Sequence, residues 1–132
     1  MNQRSGFIKA ALLAPVLAIG LVPAARAADA AGKPVTLHGY VLDAACAYVK
    51  DLKKPISKDC AVACAKAGSP LAILTREGTI YLPISDAPPA AGQNDRLMEY
   101  AGQMVTVTGK VYAKGGSHAI VIDKIEAAPA GK

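Results

Sequence analysis

The stretch QMVTVTGKVYA, residues 103–113, decides the fold. Its valines recur at alternate positions, which is the period of a strand with one buried face. Gly109 interrupts the pattern, and a glycine inside a strand predicts a β-bulge or a sharp bend. The stretch VTLHGYVLD, residues 35–43, has the same alternation around Gly39. Two strands that each contain such a glycine favour a sheet that coils into a barrel.

Three further strands complete the predicted sheet. The stretch LAILTREGTIYLPI, residues 71–84, is typical of a β-hairpin, and HAIVIDKIE follows a Gly-Gly turn. Asn94 is expected to cap a short helix that ends at Gly102. The strands are predicted over residues 35–43, 71–75, 79–84, 103–112 and 118–125.

This order of elements predicts a mainly β fold, a five-stranded OB-like Greek-key barrel. A short helix that carries cysteines would lie between strands 1 and 2, and another short helix between strands 3 and 4. An open sheet with two helices on one face is the competing architecture. The glycines within the strands favour the barrel, because closure requires coiled strands.

The N-terminus has the pattern of a secretory signal. Basic residues precede an apolar run, and Ala25-Arg26-Ala27 supplies the small residues expected before cleavage after Ala27. The run is short and broken by prolines, whereas a membrane-spanning helix needs about 20 apolar residues. We therefore predict a periplasmic or secreted protein with no membrane span after cleavage. The predicted divisions are a signal at 1–27, a flexible tail at 28–34, one domain at 35–126 and a flexible tail at 127–132.

The charge of the chain gives no reason to expect nucleic acid as a partner. The full sequence has 15 Lys and Arg against 10 Asp and Glu. Three of the basic residues lie in the predicted signal, so the remaining chain is close to neutral. It has no basic stripe with aromatic residues between the charges, which is the usual mark of a nucleic-acid surface.

All three cysteines lie in the segment DAACAYVKDLKKPISKDCAVACAKAG, residues 43–68. Ser57 is a suitable N-cap and Gly68 a suitable stop, so a short helix is predicted over residues 58–67. Its faces are mostly alanine and bury little area. We therefore expect this helix to be held against the first strand by the cysteines rather than by its own packing.

Cys60 and Cys64 would lie one turn apart on the same face of this helix, and Cys46 would lie at the end of the first strand. Three cysteines in an exported protein leave at least one unpaired if a disulfide forms within the monomer. A bond between Cys60 and Cys64 is disfavoured, because their Cβ atoms would be about 5–6 Å apart against about 3.8 Å in disulfides. A bond from Cys46 to either of them is easier.

The alternative to a disulfide is a soft-metal site. Three thiolates from Cys46, Cys60 and Cys64 suit Cu(I), and with a fourth nitrogen or oxygen ligand they suit Zn(II). The candidates for a fourth ligand are His38, Asp43, Asp59 and His118.

Three functions follow from these alternatives. The first hypothesis is an exported accessory protein, not an enzyme, that binds copper ahead of zinc. The second is a disulfide-stapled module that binds a partner protein. The third is a thiol-redox accessory protein, because a helix N-terminus favours the thiolate of Cys60.

The order of motifs G-x-V-x-D-x-x-C, C-A-x-x-C-x-x-x-G-x-P, G-x-x-Y and G-x-x-V-x-V-x-G covers nearly all of the chain after the signal. The residues that carry it are Gly39, Val41, Asp43, Cys46, Cys60, Ala61, Cys64, Gly68, Pro70, Gly78, Tyr81, Gly102, Val105, Val107 and Gly109. In this order the chain resembles a largely uncharacterised family of small secreted bacterial proteins with an OB-like fold. The resemblance implies that fold and an export route. Members often have histidine three residues before C-A-x-x-C, where this chain has Ser57 and so lacks that possible ligand.

Overall fold

The computed structural model describes residues 32–50 and 57–129. The predicted signal, its cleavage site and most of the predicted N-terminal tail lie outside the described residues. Within them, no helix has the length and apolar character needed to cross a membrane.

Five strands form a closed barrel in the order β1-β2-β3-β5-β4, which confirms the predicted five-stranded barrel. All neighbouring strands are antiparallel except β3 and β5, which are parallel. This arrangement is that of an OB-like barrel. The strands are β1 (Lys33–Asp43), β2 (Leu71–Thr75), β3 (Ile80–Ile84), β4 (Met104–Lys114) and β5 (Ser117–Ala127).

In the part of the chain that the structure describes, three short α-helices lie between the strands. Two of them connect β1 to β2, where the sequence predicted one, and the third lies between β3 and β4 as predicted. They are α1 (Ala44–Val49), α2 (Lys58–Lys66) and α3 (Asn94–Leu97), and a 3₁₀ turn at Met98–Tyr100 follows α3.

Strands β1, β4 and β5 run one or two residues further at one end or both than predicted, whereas β2 matches and β3 begins one residue later. Strand β1 begins at Lys33, which pairs with Val111 of β4, so two residues assigned to the N-terminal tail belong to the sheet. Strand β5 extends to Ala127, which pairs with Val105. Backbone pairing with a long neighbour extends a strand beyond its hydrophobic pattern.

The barrel interior is filled by the alternate apolar residues of the strands. Val41, Ile73, Val107 and Ile120 come from four different strands and are fully buried in one cluster. Leu97 of α3 belongs to the same cluster and is also fully buried. The core is therefore built mainly by β-branched residues, which suit a pleated sheet.

The two glycines within strands have different roles. The pairing of β4 with β5 shifts register between Thr108 and Gly109, which confirms the predicted bulge there. A Cβ atom at Gly109 would lie 2.1 Å from the carbonyl oxygen of Val121. At Gly39 the register with β4 is continuous, so no bulge forms. Its Cβ would lie 2.8 Å from the carbonyl oxygen of Leu74, so glycine is needed for close approach of the strands.

Asn94 does not act as the predicted helix cap. Gln93 occupies the N-cap position of α3 and makes no side-chain capping bond. The Asn94 amide instead accepts a hydrogen bond from the Leu71 backbone N–H at 2.8 Å and donates to the carbonyls of Ser69 and Ala65 at 2.8 and 3.1 Å. Tertiary partners thus replace the local capping bond that the sequence pattern suggested.

Candidate functional site

Helix α1 begins directly at the end of β1 and was not predicted. Cys46 therefore lies in the first turn of a helix, not at the end of a strand. Outside the barrel, Ala47 packs with Leu42 of β1 and Leu74 of β2 in a small buried cluster. This second cluster fixes α1, and with it Cys46, against the outer face of the sheet.

Helix α2 begins at Lys58 as predicted and ends at Lys66, one residue earlier than predicted. The Ser57 hydroxyl accepts a hydrogen bond from the Cys60 backbone N–H at 3.3 Å, and Gly68 has the positive φ of 99° typical of a helix stop. Ala61 and Ala65 are buried in the barrel core. The expectation that α2 lacks packing of its own is therefore wrong, because small side chains let its backbone lie close to the core.

Asp43 joins the two helices. Its side chain is fully buried, and it caps α1 by accepting hydrogen bonds from the backbone N–H groups of Ala45 and Cys46, both at 3.1 Å. The hydroxyl of Ser69, in the turn after α2, donates to Oδ1 of the same carboxylate. One side chain thus receives donors from the start of α1 and from the end of the α2 segment.

The carboxylate of Asp43 is strongly stabilised in its charged form. Burial alone would raise its pKa, but the hydrogen bonds from Cys46, Ser69 and Ala45 outweigh burial and lower the pKa to about 2. A hydrogen-bonded carboxylate commonly shows such a depressed pKa. Asp43 is therefore negatively charged at neutral pH although it has no contact with solvent.

All three cysteines are free thiols, with Cys46 buried, Cys64 partly buried and Cys60 exposed. A hydrogen bond to Asp43, together with burial and the negative charge of Asp43, raises the pKa of Cys46 to about 11. Burial and the charges of Asp43 and Cys60 also raise the pKa of Cys64. Asp43 therefore lies beside Cys46 and Cys64, whereas Cys60 lies beside Cys64.

Of the four predicted candidates for a fourth ligand, only Asp43 lies beside the thiols. His38 is five residues before Asp43 on β1, about 16 Å along the strand, and its Nδ1 is 3.1 Å from the Thr106 hydroxyl. The ring of His118 packs against Tyr81, with 5.5 Å between ring centroids. Asp59 is exposed and lies next to Cys60 in α2, on a different face of the helix.

The thiol cluster is not already arranged as a set of metal ligands. Across residues 32–50 and 57–129, no three His, Cys, Asp or Glu side chains are positioned together so as to hold a metal ion. Cys60 is exposed, so its side chain has room to change rotamer. The residue types fit a soft metal, and rotation of thiol side chains would be required to bind one.

Sequence reasoning missed two residues that shape the site. Ser69 was given no role from the sequence, although it donates to Asp43. Asn94 was interpreted as a local cap, although it binds the turn that carries Ser69. The one signal that could have revealed α1 is Asp43 itself, because Asp followed by Ala-Ala-Cys is a suitable N-cap sequence.

No protein-family model, curated protein or solved structure matches this chain. The fold and the thiol cluster therefore carry the functional argument.

Proposed function

We propose that this protein is an exported, non-enzymatic accessory protein that binds a soft metal ion through Cys46, Cys60 and Cys64, copper ahead of zinc. The observation that carries the proposal is that Cys46 of α1 and Cys64 of α2 both lie beside the buried carboxylate of Asp43, with Cys60 next to Cys64. The N-terminal signal pattern and the resemblance to small secreted bacterial proteins support export.

The charge of the cluster favours a cation. Asp43 is already negative, so each thiol that ionises beside it adds like charge at short range. A bound cation removes this repulsion and replaces the thiol protons, as metal binding to cysteine generally does. Cys46 at the buried side and Cys60 at the exposed side would let an ion enter from solvent and be exchanged with a partner protein.

The available ligands favour copper over zinc. Three thiolates satisfy Cu(I) in trigonal geometry, whereas a structural Zn(II) site almost always has four ligands. His38 and His118 lie elsewhere on the barrel, and Asp43 already accepts hydrogen bonds from three other residues. Within residues 32–50 and 57–129, a fourth ligand is therefore lacking beside the three sulfurs.

A partner-binding module stapled by a disulfide is the second candidate function. Tyr48 and Val49 support it, because these large apolar side chains of α1 are 63% and 84% exposed. Under this proposal Cys46 would pair with Cys60 or Cys64. A thiol-redox role of Cys60 is a third proposal and is less favoured, because the sequence has no C-x-x-C motif.

One preparation of exported protein distinguishes these proposals. The full chain is expressed with its own signal, purified from the periplasm and analysed for N-terminal sequence, bound metal and free thiols after denaturation with a chelator. We expect an N-terminus at Ala28, about one copper per chain and about three thiols, following the cysteine count. The matched variant Ser85→Ala changes an exposed loop hydroxyl and should behave like wild type. Cys46→Ser should be purified with less bound copper than wild type, because it loses one of the three thiol ligands.

Other results would overturn the proposal in recognisable ways. One free thiol and no metal would identify the disulfide-stapled module. Exported protein that still begins at Met1 would contradict cleavage after Ala27.

A further inference from the structure

We infer that the outer face of β1 and β4 holds a second binding site, separate from the thiols, for a small organic acid with a flat apolar body. A cavity of about 780 Å³ opens on this face, and we call it the outer groove. Its volume lies in the range of about 300–1000 Å³ that is typical of small-molecule sites. Among the residues that the structure describes, no cysteine lines it, so this site does not depend on the proposed function.

Two neighbouring rows of outward-facing side chains form the floor of the outer groove. The register of β1 with β4 pairs His38 with Thr106 in one row and Tyr40 with Met104 in the next. Val105, between the two rows on β4, is fully buried in the barrel core, so the side chains of the rows lie on the opposite face. One row of the floor is therefore polar and the other is largely apolar.

The apolar row is held in place from both sides. Tyr40 is partly buried and packs against the outer cluster that contains Leu42 and Leu74. The carbonyl of Met104 accepts a hydrogen bond from the backbone N–H of Ala128 at 2.8 Å, and Ala128 also lines the groove. A fixed aromatic ring beside a thioether offers a preorganised surface for a planar apolar group.

The polar row supplies a cation for the acid group of the ligand. Arg76 directly follows β2, one position beyond the pair of Gly39 with Thr75, so it extends the row that contains His38. Among residues 32–50 and 57–129, the Arg76 guanidinium has no hydrogen-bond or ion-pair partner. Its planar fork of N–H donors matches a carboxylate. The Thr106 hydroxyl lies 3.1 Å from Nδ1 of His38 and holds the imidazole in the same row.

The carboxylates near the groove do not cancel this cation. The backbone N–H of Glu77 and the hydroxyl of Thr75 lower the pKa of Glu77, and the charge of Arg76 adds to their effect. Arg76 has five N–H donors, so it can bind a second carboxylate while it attracts Glu77. Glu126, across β4 at the far end of the polar row, forms an ion pair of 2.8 Å with Lys124. The free positive charge of the row therefore lies at its Arg76 end.

Three small molecules test the two halves of the site separately. The purified, metal-free chain, isotopically labelled, is titrated with indole-3-acetate and followed by NMR. We expect saturable binding, with the largest amide shifts at residues 38–40 and 103–106. Indole-3-acetamide has the same flat body without the charge and should bind about fivefold more weakly, the scale of an exposed ion pair. Acetate has the charge without the body and should bind at least about tenfold more weakly.

A pair of variants tests the assigned cation. Arg76→Gln removes the charge from an exposed turn and should reduce the affinity for indole-3-acetate about fivefold, while the affinity for indole-3-acetamide stays the same. Lys114→Gln removes the same charge from an exposed residue at the far end of β4, outside the groove, and should bind both molecules as wild type does.

Several results would overturn the inference. Equal affinity of wild type for the acid and its amide would show that no cation recognises the ligand. Unchanged affinity for the acid in Arg76→Gln would exclude Arg76 from that role, and shifts centred on α1 or α2 would place the site elsewhere. Absence of saturation by indole-3-acetate up to about 10 mM would show that the groove is not a site of even millimolar affinity. The copper content of the exported protein tests only the proposed function.

Discussion

Asp43 is a fully buried charged residue, and burial of an ion is costly unless hydrogen bonds replace its hydration. Here backbone and side-chain donors supply that replacement, and the result is a pKa of about 2 against the ordinary 3.8. Asp43 is the last residue of β1, its side chain caps α1, and the same carboxylate accepts a hydrogen bond from Ser69 in the turn after α2. A single carboxylate thus links the stability of the segment to the arrangement of its thiols.

The first prediction is an acid-dependent stability of the metal-free protein. Because the pKa of Asp43 is lower in the folded state than its ordinary value of 3.8, the folded protein gains stability from the ionised carboxylate at all pH values above 3.8. The gain is about 2 kcal/mol and should be lost as the pH falls from 3.8 to about 2. Urea unfolding across this range measures it.

Asp43→Asn is the informative comparison for this prediction. The variant cannot ionise, so the part of the acid dependence due to residue 43 should disappear and its stability should change less with pH than that of wild type. Asp59→Asn, at an exposed site, should retain the wild-type profile. Identical profiles for wild type and Asp43→Asn would show that Asp43 is not linked to folding.

At the scale of elements, three kinds of contact hold α2 in place. Its alanines pack in the core, the side-chain amide of Asn94 binds its C-terminal end, and Ser57 caps its N-terminal end. Ala61 and Ala65 lie in the barrel core, and the Asn94 amide binds the Ala65 carbonyl at the end of the helix. A helix of nine residues is too short to be stable alone, so these contacts maintain it. The cysteines are therefore not needed to attach α2 to the barrel and remain available to bind a ligand.

Asn94→Ala tests this attachment. It leaves the Leu71 N–H and the carbonyls of Ser69 and Ala65 without their side-chain partner, which should cost about 2–3 kcal/mol. Amide hydrogen exchange over residues 61–67 should become faster than in wild type while the barrel strands keep their protection. Gln93→Ala removes only one exposed side-chain bond and is the control. Unchanged exchange in α2 would show that its alanines alone suffice.

The segment that carries the cysteines was only partly predictable from sequence. Ser57 and Gly68 identified α2 because caps and stops are local signals in the chain. Helix α1 has only six residues, too few to show a helical period, and its cap Asp43 also ends a strand. The role of Ser69 could not be predicted from local sequence, because it depends on a hydrogen bond to Asp43, which is 26 residues away in the chain.

At the scale of the whole molecule, the barrel could be predicted from the alternation of apolar residues along the strands and from the glycines within two of them. Period-2 apolar residues identified the five strands, and the bulge at Gly109 lies where the sequence predicted it. The parallel pairing of β3 with β5 closes the barrel and has no local signature, because it joins residues 37 positions apart, such as Tyr81 and His118. The sequence predicted the five-stranded OB-like Greek-key barrel but did not assign this parallel pair.

Gly109→Ala should weaken the closed barrel as a whole. The new Cβ would lie 2.1 Å from the Val121 carbonyl oxygen, so β4 and β5 would have to separate locally. Overpacking of this kind should cost about 3 kcal/mol in chemical denaturation. Gly92→Ala is the matched control, because its Cβ would have no neighbour within 4 Å and should change stability by less than about 0.5 kcal/mol. Equal stability of the two variants would show that the bulge is not required.

The central claim is that Cys46, Cys60 and Cys64 together bind copper without a fourth ligand. X-ray absorption at the copper edge of the exported, Cu(I)-loaded protein measures the atoms bound to the metal directly. We predict three sulfur neighbours and no nitrogen or oxygen neighbour, with two sulfurs remaining in each single Cys→Ser variant. Two sulfur neighbours in wild type, or a nitrogen or oxygen bound to copper, would contradict the account.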